Sequence, residues 1–471
     1  MRGQPQATHR RRVCAGVPTG VALLLLMLAG ASASPPAAQA TAVRALCQTP
    51  LIDLSPEQRT ARLTEMALQL KARWLRVDVS WRRAEPERGV DNEAYLQAVY
   101  DTVAEARALG LKPLVMVVYM PTWAQDESLW AKPPPGYVAG VPYPFYAIDL
   151  AHIPDFQAFM SRLTQRLGEH VNRWECWNEP NLWPYIWPQT TAADPYFAIN
   201  RYVAMLKAFN AGVKAVDPDD LVVAGSTGPV GNNDVYRTSP QRWAGMMKVM
   251  GAGAYFDIYS HHPYTPGGSV NIRPDEPPNN LLTTVTLYNL GQLLRVFPGK
   301  SFYLTEYGYN TEPCDAFGGF AVTLLQQAKF LRIAYTYAGR FDQVKNLFWY
   351  LAQDAGGVYT GLRKDTGWHK PSWFAFAGGN SVSIYALPYV KPGTRVNVRG
   401  KIACETFGPV PDRVVKLQGR RLGVLTWTTM ASMRTDAEGR YLFTPTVWRP
   451  MQYRVVWPEI KTSDVRTVRV Y

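Results

Sequence analysis

The sequence predicts an α/β architecture, a (β/α)8 barrel followed by a small all-β sandwich. Three observations point there. Apolar strand-like runs alternate with helix-length stretches from about residue 57 to residue 376. Helix-length crossovers of this kind are what parallel strands require. After residue 390 the helical rhythm stops, and short alternating strands with turn residues replace it. An open doubly wound sheet also fits the alternation, but a chain of 471 residues leaves room for a full barrel and a second module.

The elements follow in order. Pro56 suits the first turn of a helix over 57–71, with Leu63, Met66 and Leu70 on one face. Strands are predicted at Trp74–Val79, Leu111–Val118, Val171–Trp177, Leu221–Ala224, Phe256–Tyr259, Ser301–Thr305 and Lys345–Tyr350. Helices are predicted between them over 92–109, 153–167, 196–216, 240–251, 281–296 and 321–338, with a last one over 371–376. That makes seven clear strands. The eighth, first in order, falls somewhere in 42–54, where Pro50 interrupts the pattern. In the tail, strands are expected at 395–398, 414–417, 422–426, 441–443, 453–456 and 465–470, with turns at Pro392-Gly393 and Glu438-Gly439. The domain reading is a leader over 1–40, a barrel over 41–385 and a β-sandwich over 390–471.

Composition narrows the class. Apolar residues make up 47% and charged residues 18%, which excludes a mainly disordered chain. Arg10, Arg11 and Arg12 precede an apolar run from Val13 to Gly30, and small residues then allow cleavage after Ala33 or Ala40. This is the layout of a secretory signal, with an uncleaved anchor as the competing reading. A secreted or cell-surface protein is expected, with no membrane contact after cleavage. The net charge of +13 is unevenly spread: the leader carries +4 and the last 81 residues +9, while residues 41–390 balance. That distribution argues against a nucleic-acid partner. It leaves a basic tail suited to anionic wall polymers, or simply to solvent. Five cysteines stand at 14, 47, 176, 314 and 404. Their spacing gives no zinc motif. Cys47 with Cys314 is one candidate bridge, and Cys176, in an apolar segment, also reads as a buried thiol.

Two segments carry chemistry. Trp174-Glu175-Cys176-Trp177-Asn178-Glu179-Pro180-Asn181 ends an apolar strand on an acid, and Pro180 opposes further ladder pairing. Ser301-Phe302-Tyr303-Leu304-Thr305-Glu306-Tyr307-Gly308 repeats that design. An isolated Asn-Glu-Pro is as readily a loop or capping carboxylate. Two glutamates at strand ends, 127 residues apart, admit a division of labour: one carboxyl protonated to donate, the other ionised to attack.

With these segments the chain resembles clan A glycoside hydrolases, nearest to families 5 and 39, over about residues 55–380. The resemblance implies that Glu179 is the acid/base, Glu306 the nucleophile, and Asn178 a contact to the sugar 2-hydroxyl. Trp74-Leu75-Arg76-Val77-Asp78 is similar to the clan's second-strand segment, so Arg76 is implied to support the nucleophile; an ion pair with Asp78 or another acid is the structural alternative. Phe256-Asp257-Ile258-Tyr259-Ser260-His261-His262-Pro263-Tyr264 is similar to the sixth-strand segment, implying that Tyr264 donates to Glu306 and that His262 bridges protein and substrate. Trp349 resembles the aromatic floor under the central sugar, with packed core as the alternative. Trp123 and Trp183, with Tyr119 and Trp187, offer flat apolar surfaces on cleft-side loops. The tail resembles immunoglobulin-like modules of actinobacterial secreted proteins, through Thr435–Tyr441 and Tyr453-Arg454-Val455.

The expected function is a retaining glycoside hydrolase acting on an oligosaccharide or polysaccharide, with no cofactor and no metal. The balanced charge of the barrel region favours a neutral glycan, and the resemblance a β-linked one. A non-catalytic glycan-binding scaffold and a transglycosidase are the alternatives.

Overall fold

The computed structural model describes residues 42–471, apart from 49, 268, 270, 271 and 315–319. The expected leader and Cys14 lie outside the described residues. Eight parallel strands close into a barrel in sequence order: β1 (Val43–Cys47), β2 (Trp74–Ser80), β3 (Lys112–Val118), β4 (Arg173–Cys176), β5 (Leu221–Thr227), β6 (Ile258–His261), β7 (Ser301–Tyr307) and β8 (Val344–Tyr350). The weakly marked first strand closes it. Val43–Cys47 runs beside Asn346–Tyr350 on one side and reaches Trp74–Arg76 on the other. Pro50 lies beyond this strand and interrupts nothing.

Helices fill the crossovers: α1 (Pro56–Thr64), α2 (Trp81–Ala84), α3 (Glu93–Ala108), α4 (Ile153–Leu167), α5 (Phe197–Val216), α6 (Pro240–Val249), α7 (Gly291–Leu294), α8 (Leu324–Ala338) and α9 (Pro371–Ala377). Local chemistry sets their starts. Ser55 with Gln58, and Thr323 with Gln326, form reciprocal capping boxes at α1 and α8. The Asn92 side chain caps α3. A π-helical segment, Glu65–Gln69, extends α1 toward the predicted end. One expected helix fails. Of residues 281–296 only Gly291–Leu294 is helical. The Asn289 side chain instead binds the backbone of Thr286 and Thr284, and Asn280 takes the Leu282 amide. Such local bonds compete with a helical ladder. No helix among the described residues is long and apolar enough to cross a membrane.

Side-chain alternation sorts the barrel into two apolar layers. Ala45, Leu114, Val223 and Phe348 form an inner cluster. Leu46, Val77, Val115 and Leu347 belong to the larger core under the helices. The interior is not wholly apolar: Arg76 and Glu175, both buried, sit mid-strand on β2 and β4.

Antiparallel strands begin at Asn380. They are β9 (Asn380–Val382), β10 (Tyr389–Val390), β11 (Thr394–Arg395), β12 (Val398–Cys404), β13 (Gly408–Pro409), β14 (Val414–Arg421), β15 (Thr428–Arg434), β16 (Arg440–Phe443), β17 (Thr446–Val447), β18 (Met451–Trp457), β19 (Lys461–Thr462) and β20 (Arg466–Val470). One sheet runs β10-β20-β18-β14-β15, with β19 on β18; another runs β13-β12-β16, with β9 on β12; and β11 pairs with β17. The strand expected at 422–426 is absent. Gly423, at φ 86°, turns the chain there, and Leu425 is left exposed. Phe374 at the barrel's end packs on Trp457, and the Arg413 guanidinium donates to the His369 carbonyl.

The candidate Cys47–Cys314 bridge is not formed. Cys47, Cys176, Cys314 and Cys404 are all free. The Cys47 thiol is spent inside the barrel, donating to the Thr305 carbonyl at 3.2 Å. A protein begun at residue 41 is therefore expected to titrate as four thiols after denaturation without reductant. A count of two or none would contradict this arrangement.

Candidate active site

The residues singled out in the sequence converge at the carboxyl ends of the barrel strands, the face on which barrel enzymes carry their sites. Arg76, on β2, is the centre. Its Nε donates to Glu175 at 2.6 Å, Nη1 to Glu306 at 2.5 Å and Nη2 to Asn178 at 2.8 Å. Asp78 lies farther off, at 3.6 Å. Burial works against the guanidinium's charge, but the carboxylates of Glu175, Asp78 and Glu306 more than offset it, so Arg76 stays protonated. An arginine offers donors alone, so Asn178 must turn its Oδ1 toward it, which leaves Nδ2 as a donor.

The backbone bends to present the acids. Trp177 and Glu179 both take positive φ, 70° and 34°, where β4 ends. Backbone conformations of this kind persist where surroundings over-determine them. Here the Glu179 amide donates to Ser226, and Asn181 ties the turn to the Gly228 and Thr238 carbonyls. Gly228 is required: a Cβ there would stand 3.0 Å from Glu179 Oε1 and 2.6 Å from Leu182. On β7, consecutive residues Thr305 and Glu306 both join the interior network. A register shift against β8 between Leu304 and Tyr307 relaxes the usual alternation.

His262 connects the two acids. Its Nδ1 lies 3.1 Å from Glu179 Oε1 and 3.8 Å from Glu306 Oε2. The two carboxyl oxygens are therefore within about 7 Å of each other. Tyr264 donates its hydroxyl proton to Glu306 Oε2 at 3.1 Å. His261, as its place on a strand predicts, turns away, bonding Thr227 and the Val285 carbonyl.

Glu175 accepts from Arg76 and from Ser226 Oγ at 2.8 Å. Burial pushes the Glu175 carboxyl up, but Arg76, with His262 and Thr305 adding to it, draws it below its usual value, so it stays ionised. The Thr305 hydroxyl and His262 Nε2 share a hydrogen bond at 3.1 Å. Burial lowers His262 to about 4, so the ring is neutral at neutral pH. A tautomer with its proton on Nε2 leaves Nδ1 as an acceptor. Its contact with Glu179 is then a hydrogen bond when Glu179 carries the proton. Burial, against the opposing charge of Arg76, raises Glu179 to about 7. Burial also raises Glu306, with His262 and Arg76 opposing.

The aromatic expectations fare unevenly. Trp349 does not form a floor. Alternation on β8 puts it in the outer layer with Leu347, fully buried, its indole bonded to the Thr360 carbonyl at 2.9 Å. Tyr350, one residue on, is half-buried and packs with the inner cluster. Trp123 packs edge-on against Trp81 and donates to the Glu85 carbonyl. Trp183 joins a loop cluster with Tyr137 and Phe145. Trp187 belongs to the same cluster. Nearer the acids, Tyr119 and Tyr185 stack at 6.4 Å. Burial raises both hydroxyls, and the Glu306 charge adds to it.

The sequence reading assigned no role to Glu175, Thr305, Tyr185 and Tyr350. Glu175 did leave a signal. A carboxylate inside an apolar strand needs a buried cation, and Arg76 is the matching mid-strand charge.

No family model matches the chain. Among solved structures it superposes on a family 39 glycoside hydrolase from the gut symbiont Bacteroides cellulosilyticus, with a TM-score of 0.52, 18% identity, and 89% of this chain and 81% of that one covered. It also superposes on a variant of GH5_18 from Bifidobacterium longum in complex with Manβ1-4GlcNAc, with a TM-score of 0.51, 13% identity, and 71% and 77% covered. Together they give the fold: a (β/α)8 barrel followed by a small β-domain. Identities this low establish the fold alone.

Replacing Arg76 with Met leaves Glu175 and Glu306 buried without their cation. A loss of about 3–5 kcal/mol is expected in denaturant unfolding at neutral pH. The deficit should shrink as pH falls and the stranded carboxyls protonate. A deficit independent of pH would contradict this reading of the network.

Proposed function

We propose that the protein is a retaining glycoside hydrolase in which Glu179 is the acid/base and Glu306 the nucleophile. The observation that carries this is the unequal treatment of two acids around one imidazole. Glu179 faces a neutral imidazole and is raised by burial to about 7, which keeps a proton on it near neutrality. Glu306 faces a guanidinium at 2.5 Å and a donating tyrosine, partners that favour the anion against the burial that raises it. The carboxyl oxygens that face His262 lie within about 7 Å of each other, compatible with the roughly 5–5.5 Å of direct displacement.

In this mechanism Glu306 attacks the anomeric carbon while Glu179 protonates the departing oxygen. A covalent glycosyl-enzyme forms. Glu179, now ionised, takes a proton from water, and the water oxygen displaces Glu306 with net retention. Asn178 Nδ2 is free of Arg76 and suits a sugar hydroxyl, as the clan resemblance implies for the 2-position. Tyr119, 40% exposed and stacked on Tyr185, and Tyr350 are better placed than Trp349 to face a pyranose ring. The balanced charge of residues 41–390 favours a neutral, β-linked glycan. We place the leader at 1–40, the catalytic domain at 41–385 and the β-module at 390–471, in a protein exported to the cell surface or beyond.

Labelling with a panel of 2-deoxy-2-fluoro glycosides, then peptide mapping, tests the nucleophile. The label is expected on Glu306, and Glu306→Gly should abolish turnover. A label elsewhere, or a first product of inverted configuration, would end the assignment. The pH profile tests the acid. Glu179 must be protonated for the first step, so kcat/KM should fall as pH rises through about 7. Glu179→Gln should lower kcat/KM on unactivated glycosides by about 10²–10⁴-fold and remove that alkaline limb. A limb that survives the substitution would assign the proton to another group.

A further inference from the structure

The β-module contains a cavity of about 730 Å³, separate from the barrel mouth. Its floor is a sheet face with an ordered pattern. Tyr385 pairs with Arg399, which pairs across β12 and β16 with Leu442. Beside that row, Ser383 pairs through backbone bonds with Lys401, which faces Arg440. Cross-strand partners share a face, and so do residues two apart. Arg399, Lys401 and Arg440 therefore stand together, about 7 Å apart along a strand and about 5 Å across. Tyr385 and Leu442, each half exposed, flank them. Met433, Arg434, Thr435 and Asp436 supply another wall.

Of the four cations lining the cavity, two are in ion pairs among the described residues and two are not. Arg434 pairs with Asp412 at 2.9 Å, and Arg440 lies 3.6 Å from Glu438. Asp436, the lining acid, already accepts the Glu438 and Arg440 amides. Arg399 leans over the Tyr385 ring at 5.2 Å. Neither Arg399 nor Lys401 has an ion-pair partner among the described residues. Exposed cations often guard the edge of a sheet against further pairing. That explanation fails here, because β12 is paired on both sides. The floor is also fixed from below: Tyr441 donates its hydroxyl to the Ser383 carbonyl, and a Cβ at Gly400 would collide with that oxygen.

We propose that this cavity binds a carboxylate-bearing polysaccharide. Carboxylates match guanidinium and ammonium donors at the spacing of adjacent strands, and the CH faces of sugar rings match Tyr385 and Leu442. A concave site admits a chain and not a bilayer face. The choice of a glycan as the anion's carrier rests on the proposed glycosidase reading. The module would then hold the protein on an acidic polymer while the barrel acts on a neutral one.

Affinity electrophoresis of the full chain tests this, with polygalacturonate in the gel and its methyl ester as the neutral form of the same backbone. Retardation is expected on the acid and not on the ester. Arg399→Ala/Lys401→Ala should weaken it at least ~10-fold, whereas Lys391→Ala/Arg395→Ala, with the same charge loss outside the cavity, should stay within about two-fold. Retention unchanged in the first variant, lost equally in the second, or equal on the ester would overturn the proposal. So would preference for anionic vesicles or single-stranded DNA over polygalacturonate. Fluoroglycoside labelling run in parallel separates the two readings. Labelling without retention sinks the cavity, and retention without labelling sinks the glycosidase.

Discussion

One buried guanidinium orders the functional end of the barrel. Arg76 reaches Glu175, Asn178 and Glu306 from a single side chain. These groups come from β4, the turn after it, and β7, so the contact ties the second, fourth and seventh strands together inside the barrel. Lysine could not replace it, because a point charge lacks the fork that serves three partners in one plane. A cation removed from water on this scale is tolerated only where its partners are also fixed. Glu175 meets that condition through Ser226, which in turn contacts Ser260.

That arrangement explains why two acids of one residue type behave differently. Glu175 and Glu306 both touch Arg76, whereas Glu179 touches His262 instead. The imidazole is held between two partners, Thr305 at Nε2 and Glu179 at Nδ1, each at 3.1 Å.

Legibility followed the physics of each element. Long periodic segments were readable almost to the residue: α4 spans Ile153–Leu167 as predicted, and α5 departs by one position at its start. The first strand was faint because five residues, Val43–Cys47, carry little pattern, and its partner β8 is just over 300 residues away. Barrel closure is a tertiary fact that no local window contains. The failed helix before β7 carried an apolar pattern, but Asn280 and Asn289 captured its backbone. In the site, Arg76, Asn178, Glu179, His262, Tyr264 and Glu306 were legible as short motifs and meet in space. Trp349 was misplaced by one residue of parity. On a strand apolar on both faces, composition cannot tell the lumen from the helical side, and Tyr350 holds the inner position. Thr305 was hidden for a related reason, since strict alternation with Glu306 would have sent one of them outward.

The charge distribution separates the two parts of the chain as firmly as the fold does. Residues 41–390 balance and hold most of the ion pairs among the described residues, including a buried Lys370–Asp354 contact at 2.8 Å. The tail has nine more basic than acidic residues, and several of its arginines lie over aromatic rings instead of carboxylates. Arg420 and Arg454 both lie 4.4 Å from Trp427, and Arg399 lies over Tyr385. Guanidinium on an indole or phenol ring keeps its charge and most of its donors. Two such groups on one ring repel each other, and burial with Arg420 nearby lowers Arg454. Folding alone gives no reason to concentrate like charge in this way, because a neutral pair would pack as well without the repulsion. The excess is economical if an anion from outside the chain completes it, and the cavity floored by β12 and β16 is where the cations stand closest to an unfilled space.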